Sequence, residues 1–322
     1  MKELVRDYLR LVRGGNLCFI AVLMWAMTYW VARPVMRANS FTDLLPWWMW
    51  LMLTLATVFI AAGGYVINDY FDVKIDRINR PDRLVVSRTV SKDTAMRLFY
   101  VMTGIGVVTG LAAAWITRSR SLAVIFALVP GLLWFYSASY KRMLIVGNLI
   151  VSFLVSLVPL LVAVAQTSWL TRIYGEDILR YMPVGRSLFA WLGGFALFAF
   201  LCTWIREIVK DLQDQNGDRE MECHTMPIVW GDVWSKVFAT LLIVLVAGLI
   251  AVLHWGHFMP FGREWSNPAT RYIVFGLFVP LACETALLWS AKIDTDYRSA
   301  QGLMKFIMFL GTMFSYVIFS LL

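Results

Sequence analysis

Charge is scarce in this chain. Asp, Glu, Lys and Arg together make up 16% of its 322 residues, while 60% are hydrophobic. Soluble domains carry about 25% charged and 45–50% apolar residues, so the composition argues against a soluble globular enzyme and excludes a disordered chain. The four cysteines, Cys18, Cys202, Cys223 and Cys283, lie far apart and form no CxxC pair. They imply neither a disulfide framework nor a zinc site. Only three histidines are present, with His254 and His257 in one loop region and no HExxH motif, so cofactor chemistry built on Cys or His has no support. Acid is outnumbered, with 29 Lys and Arg against 21 Asp and Glu for a net charge of +8. In a soluble protein that balance would point to nucleic acid. In a chain this apolar it fits basic loops facing anionic headgroups, so membrane lipids are the expected partner and nucleic acid is not.

Long apolar runs are what the chain has in abundance. A helix crossing the hydrocarbon core needs about 20 mainly apolar residues. Nine stretches qualify: 17–36, 47–67, 98–117, 121–136, 145–166, 188–209, 235–254, 272–291 and 303–321, the fourth extendable to Tyr140. The first lacks a small-residue cleavage site and runs on into eight similar segments, so it reads as a span rather than a cleaved signal. The expected fold is an all-α integral membrane protein, a single polytopic domain over residues 1–322 with no soluble appendage. The N-terminus and even-numbered loops, with their flanks, hold 20 of the Lys and Arg residues; the odd-numbered loops hold 9. The positive-inside rule then puts the N-terminus and even loops in the cytoplasm and the C-terminus outside.

Two acidic clusters stand out. Loop 2 opens with Asn68, Asp69, Asp72 and Asp76; loop 6 opens with Asp211, Asp214 and Asp218. Both aspartate triplets have the spacing i, i+3, i+7, both are followed by arginine (Arg77 and Arg219), and they lie 142 residues apart. This repetition suggests two related halves facing one site. At about 100° per residue, those offsets fall within roughly 60° of one another on a helix. Each triplet therefore projects from one helical face, joined by Asn68 in the first half and Glu207 in the second. Three like charges on one face repel one another and need counter-cations. Oxygen-only ligands select a hard divalent ion, and Mg²⁺ takes one or two carboxylates and completes its shell with water and phosphate. The two clusters can hold two Mg²⁺ ions bridged by a diphosphate. The plain alternative is a pair of solvated acidic loops balanced by nearby Lys and Arg. Their position at the ends of apolar helices favours function. An EF-hand loop fits poorly, because the D-x-D-x-D alternation is missing.

These residues resemble the UbiA family of intramembrane prenyltransferases. The family's NDxxDxxxD motif is met by Asn68, Asp69, Asp72 and Asp76, and its second aspartate motif by Asp214 and Asp218 with Asp211 upstream. A third signature, YxxxK between spans 4 and 5, is met loosely by Tyr136 through Lys141 and Arg142, with the lysine one position late. The flanks Asp76–Arg83 and Arg206–Asp211, with Gly217-Asp218-Arg219 and Thr225-Met226-Pro227, are similar to the branch making archaeal-type ether lipids, the digeranylgeranylglyceryl phosphate synthases. Leu84 to Arg88 departs from that branch, lacking its usual proline and glycine. Chlorophyll synthases and other members share part of the pattern.

The resemblance implies a nine-helix UbiA-like bundle with pseudo-repeated halves. It also implies Mg²⁺-dependent transfer of a geranylgeranyl-like group from a prenyl diphosphate to a glycerol-phosphate lipid, or alternatively to an aromatic quinone precursor. The leaving diphosphate needs positive charge where negative charge grows. Lys141 and Arg142 are the first candidates, because loop 4 falls on the same side as loops 2 and 6. Arg77, Arg83, Arg206 and Lys210 come next, with headgroup snorkelling as the other reading for each. The allylic cation needs a dry, π-rich pocket. Tyr65, Tyr70, Phe71, Tyr136 and Tyr140 lie near that rim, where an interfacial aromatic belt is also expected. Tyr136 and Lys141 are the expected catalytic pair. Arg13, Asn16, Tyr65, Tyr140 and Asn148 are candidates to reach the substrate, with headgroup snorkelling the reading preferred for Arg13. In span 3, Gly104, Gly106 and Gly110 permit close helix packing or line a groove for the lipid tail. Glu284 lies inside the eighth span, where a carboxylate is a functional candidate by default; a polar partner on a neighbouring helix is the alternative, and it is assigned no role. Two readings from other classes compete. A transporter has related halves and intramembrane charge, though its site lies near the midplane. A phosphatidyl-alcohol transferase would carry a D-G-x-x-A-R run, which is absent.

Overall fold

Each of the nine apolar runs is helical in the computed structural model, which describes residues 2–79, 81, 84–256 and 258–321, the side chains of residues 2–4 and 178 excepted. The spans are Gly14–Ala38, Trp47–Asn79, Lys92–Thr117, Arg120–Ala138, Val146–Tyr174, Val184–Glu220, Asp232–Trp255, Pro268–Ser290 and Asp294–Leu321. With no water in the hydrocarbon core, a helix is the way a single segment can satisfy its own backbone. The chain is thus a multi-pass membrane protein. Serine caps start two spans: Ser91 accepts the Thr94 amide at 3.1 Å and Ser119 accepts the Leu122 amide at 3.3 Å. The first and eighth spans each contain a π-helical turn, Met27–Ala32 and Ile273–Phe278. Each lies just ahead of a proline, Pro34 or Pro280. Proline has no amide and its ring crowds the carbonyl four residues back, so the ladder widens locally instead of breaking.

The second span packs along the third. A Cβ at Gly106 would lie 2.8 Å from the Ala56 carbonyl, so its absent side chain sets this close approach, and one at Gly110 would lie 2.4 Å from the Phe126 ring, where the third span meets the fourth. Gly104 has open space beside it and contributes no such packing. Trp47, Trp115 and Trp234, each at a span end, are 69%, 85% and 67% exposed. That is the interfacial belt the composition predicts. Glu284 is fully buried, and neither of its oxygens has a hydrogen-bond partner among the described residues. The polar partner considered for it is therefore not seen.

Two helices outrun the bilayer. At about 1.5 Å per residue, the 33-residue second span is roughly 50 Å long against a core of about 30 Å. The sixth, with 37 residues, is longer still. Both surpluses lie at the C-terminal ends, which carry the two acidic clusters. Hydropathy marks only the immersed part of a helix, so the clusters expected to open loops 2 and 6 are instead its continuation. The N-terminal helix Lys2–Leu11 lies beside the first of these ends. Its Leu11 and Tyr8 pack with Val66, Ile67, Val73 and Val85 in one apolar cluster, and Asp7 accepts a 2.8 Å hydrogen bond from Thr89.

Candidate active site

The two overhanging helix ends meet. Asn79 Nδ2 donates to the Asp214 carbonyl at 3.0 Å, and the Gly217 amide donates to Asn79 Oδ1 at 2.9 Å. A Cβ at Gly217 would come within 2.6–2.8 Å of the Asn79 amide group, so only glycine lets the two helices close this far. The clamp brings the acidic clusters together: Asp72 lies within electrostatic reach of Asp218, and Tyr136 within reach of both Asp72 and Asp211.

In the first cluster, Asn68 Nδ2 donates to Asp72 Oδ2 at 2.9 Å, and the Lys141 ammonium sits on Asp72 Oδ1. Arg13 reaches Asp69 at 3.1 Å and stacks over the Tyr65 ring at 4.8 Å. The Asn16 amide donates to the Tyr65 hydroxyl at 3.3 Å. The residues before the first span are thereby wired into the site. Asp76 lies on the same helix, half-buried. In the second cluster, Asn148 Nδ2 donates to Asp211 Oδ2 at 2.9 Å and Thr225 Oγ1 donates to Asp218 Oδ2 at 3.0 Å. Buried Glu207 takes both Arg206 and, at 3.7 Å, Lys210.

The basic candidates divide. Lys141 and Arg142 occupy a short turn, Tyr140–Arg142, tied to the loop after the sixth span by a 2.8 Å bond from the His224 amide to the Arg142 carbonyl. Burial lowers the Lys141 pKa, and the Asp72 carboxylate opposes that. The Nε donors of Arg142 and Arg206 are buried without an acceptor among the described residues. A buried donor left unpaired costs roughly 1–3 kcal/mol, so these two are the unmet donors among the basic candidates. Arg77 is exposed and forms no ion pair among the described residues. Arg83 lies outside the described residues.

The aromatics divide as well. Tyr136 is buried between the clusters. Tyr70 and Phe71 stack with one another, and Phe71 stacks on Trp134 in an apolar core. Their packing accounts for them. Tyr140 rests half-buried against Phe135.

The donor set suits a hard cation. It is entirely oxygen, from Asn68, Asp69, Asp72 and Asp76 on one helix and Asp211, Asp214 and Asp218 on the other. The protein's own cations, Arg13 and Lys141, already sit on two of those carboxylates. Among the described residues no three His, Cys, Asp or Glu side chains form a preassembled metal group. Cys223 is buried beside the second cluster; burial and the Asp218 carboxylate push its thiol up to about 11, which keeps it a neutral thiol and no thiolate ligand.

Sequence reasoning did not single out Asn79, Gly217 or Thr225. Each falls inside a stretch already noted for its flanking similarity, and that was the available signal. Their roles depend on a partner across a helix pair or a turn, which spacing along one strand of sequence does not encode.

A sequence profile described as the UbiA prenyltransferase family matches residues 20–312. A digeranylgeranylglyceryl phosphate synthase from Ignicoccus hospitalis is 31% identical over 78% of this chain and 75% of its own length. Among solved structures, one described as digeranylgeranylglyceryl phosphate synthase in membranes superposes with a TM-score of 0.63 at 24% identity, covering 98% of both chains. A UbiA homologue from Archaeoglobus fulgidus, bound to GPP and Mg²⁺, superposes with a TM-score of 0.58 at 13% identity, covering 98% of this chain and all of that one.

Proposed function

Because the chain belongs to the UbiA prenyltransferase family, we propose that it moves a geranylgeranyl-like group from a prenyl diphosphate to a hydroxyl of a glycerol-phosphate lipid. The family is one of transferases that release diphosphate, which displaces the transporter and phosphatidyl-alcohol transferase readings. The acceptor follows from the likeness to digeranylgeranylglyceryl phosphate synthases. The observation that carries the mechanism is the clamp that brings the two aspartate-bearing helix ends together, with Arg142 and Arg206 each keeping an unpaired Nε donor.

In the reaction the C1–O bond of the donor breaks and its electron pair leaves with the diphosphate. The acceptor hydroxyl oxygen then bonds to C1 and gives up its proton to the released diphosphate. Asn68, Asp69, Asp72 and Asp76 on one helix and Asp211, Asp214 and Asp218 on the other would hold Mg²⁺, two ions on this reading, together with the diphosphate. Bound there, the metal supplies Lewis-acid stabilisation of the leaving group. Lys141, Arg142 and Arg206 bind diphosphate oxygens, with Lys210 and Arg77 at the margin. Tyr136 offers a buried π face to the developing cation, an attraction of about 2 kcal/mol or more when desolvated. Arg13, with Asn16 and Tyr65, orients Asp69; Asn148 orients Asp211. The site opens on the cytoplasmic side of a single polytopic domain.

Two measurements bear on this reading. The purified protein with Mg²⁺ and geranylgeranyl diphosphate should release diphosphate only with a glycerol-phosphate lipid, as read by mass detection of the product. Prenylation of an aromatic quinone precursor instead would overturn the acceptor, and silence across the whole panel would overturn the reaction. Lys141→Ala should raise the KM for the prenyl diphosphate by about 10–100-fold, the worth of one charge-assisted hydrogen bond. An unchanged KM in steady-state kinetics would remove Lys141 from the diphosphate.

A further inference from the structure

An open groove of about 530 Å³ runs between the N-terminal helix and the start of the first span. Its walls are Val5, Arg6, Leu9 and Arg10, and its floor is Gly14, Gly15 and Cys18. We propose that this groove seats the acceptor lipid, with Arg6 and Arg10 gripping its phosphate and the lipid chain lying along Val5, Leu9 and Cys18. The proposal rests on the lipid-acceptor reading and adds a place for that substrate.

The helix Lys2–Leu11 has two apolar faces and only one of them is used by the protein. Leu11 and Tyr8 pack into the cluster with the second and third spans. Val5 and Leu9, one turn apart on another face, are 54% and 57% exposed. Such a pair at a bilayer surface fits apolar chains. Arg6 and Arg10 stand beside them at the same i, i+4 spacing, where two guanidiniums can share one phosphate. Arg6 has no ion pair among the described residues. Arg10 has only a 3.8 Å approach to Asp7, whose other oxygen accepts from Thr89. This positive charge therefore meets no close internal carboxylate beyond that one long approach.

The groove also leads to the reacting end. A Cβ at Gly15 would meet nothing within 4 Å, so the floor is bare backbone with room above it. Arg13, one residue before that floor, reaches into the site to pair with Asp69 at 3.1 Å. Arg13 lies three residues past Arg10, at the turn between the two helices, where its backbone is left-handed (φ 51°). The phosphate and the free hydroxyl of a glycerol phosphate are only a few bonds apart. A lipid whose phosphate rests on Arg6 and Arg10 therefore presents its hydroxyl toward Arg13 and Asp69, where the prenyl C1 must lie. A neutral glycerol lipid has nothing for the two arginines to hold.

Cys18 lines the groove and is exposed, and of the other cysteines only Cys283 is exposed. In a Cys283→Ser background, the full-length protein in nanodiscs should react with a bimane at Cys18. An alkylglycerol phosphate should slow that labelling at least about fivefold, while the same lipid without phosphate, and inorganic phosphate alone, should not. Arg6→Gln with Arg10→Gln should abolish this protection. The same double variant should raise the acceptor KM by about tenfold or more and leave the prenyl diphosphate KM unchanged. Protection by the dephosphorylated lipid, by inorganic phosphate, or in the double variant would overturn the proposal and return the arginines to headgroup anchoring. So would an unchanged acceptor KM. Protection of a protein that prenylates no lipid would keep the groove and sink the acceptor reading; lipid prenylation without protection would do the reverse.

Discussion

Asp72→Ala is expected to lower kcat by about 10³-fold, the loss of roughly 4 kcal/mol of charge stabilisation on the leaving diphosphate. Asp72 is the point where both sides of the site converge. It takes the Asn68 amide at 2.9 Å and the Lys141 ammonium, and it lies within electrostatic reach of Asp218 on the other helix. The substitution should leave the protein folded. Asp72 lies past the lipid-immersed part of its helix, and alanine extends a helix more readily than aspartate. Asp72→Asn, which keeps the size and loses the charge, should fall nearly as far. Diphosphate release and thermal unfolding, measured on the same preparations across a Mg²⁺ titration, separate the two effects. Activity within about tenfold of the parent would remove Asp72 from the metal. Asp214→Ala should behave in the same way, since it occupies the matching place in the second triplet.

Gly217→Val is expected to cost about 10²-fold in kcat without touching a single reacting group. Its Cβ would fall within 2.6–2.8 Å of the Asn79 side chain, so the two helix ends must part or Asn79 must leave its two hydrogen bonds. A displacement of about 1 Å between groups that share one diphosphate is enough for a loss of that size. A cycle isolates the cause. Gly217→Ala with Asn79 intact should be slower than the parent, because even a methyl group collides there. Combining it with Asn79→Ala should relieve the collision and leave only the cost of the lost clamp, so the double variant should be no worse than Asn79→Ala alone. Full activity for Gly217→Ala would show that the helix ends do not depend on this contact.

These two expectations come from different depths of the molecule. Asp72 was legible in the sequence, because three carboxylates at helical spacing, repeated 142 residues on, have few structural uses. Asn79 was not, since a single asparagine near a helix end most often caps or turns the chain. Its partners lie at positions 214 and 217, a separation of 135 and 138 residues. The basic residues make the same point within one type. Arg77 and Arg206 flank the clusters in sequence and Arg142 lies in the loop between the fourth and fifth spans, yet Arg77 is exposed whereas the other two have buried Nε donors without an acceptor among the described residues. Tyr70 and Tyr136 divide likewise, the first into an apolar stack and the second between the carboxylates.

By itself the amino-acid sequence determined the membrane architecture. Transfer of apolar surface out of water is local and additive, so a run of about 20 residues announces its own span regardless of what it packs against. It also determined the class of ligand the acidic triplets seek, because ligand hardness belongs to the residue type. Only the tertiary structure decided how long the second and sixth helices run, that their ends close on one another through Asn79 and Gly217, and which cations pair with carboxylates. Those outcomes rest on short-range contacts, where a few tenths of an ångström separate a hydrogen bond from a collision, between residues that no local pattern in the chain relates.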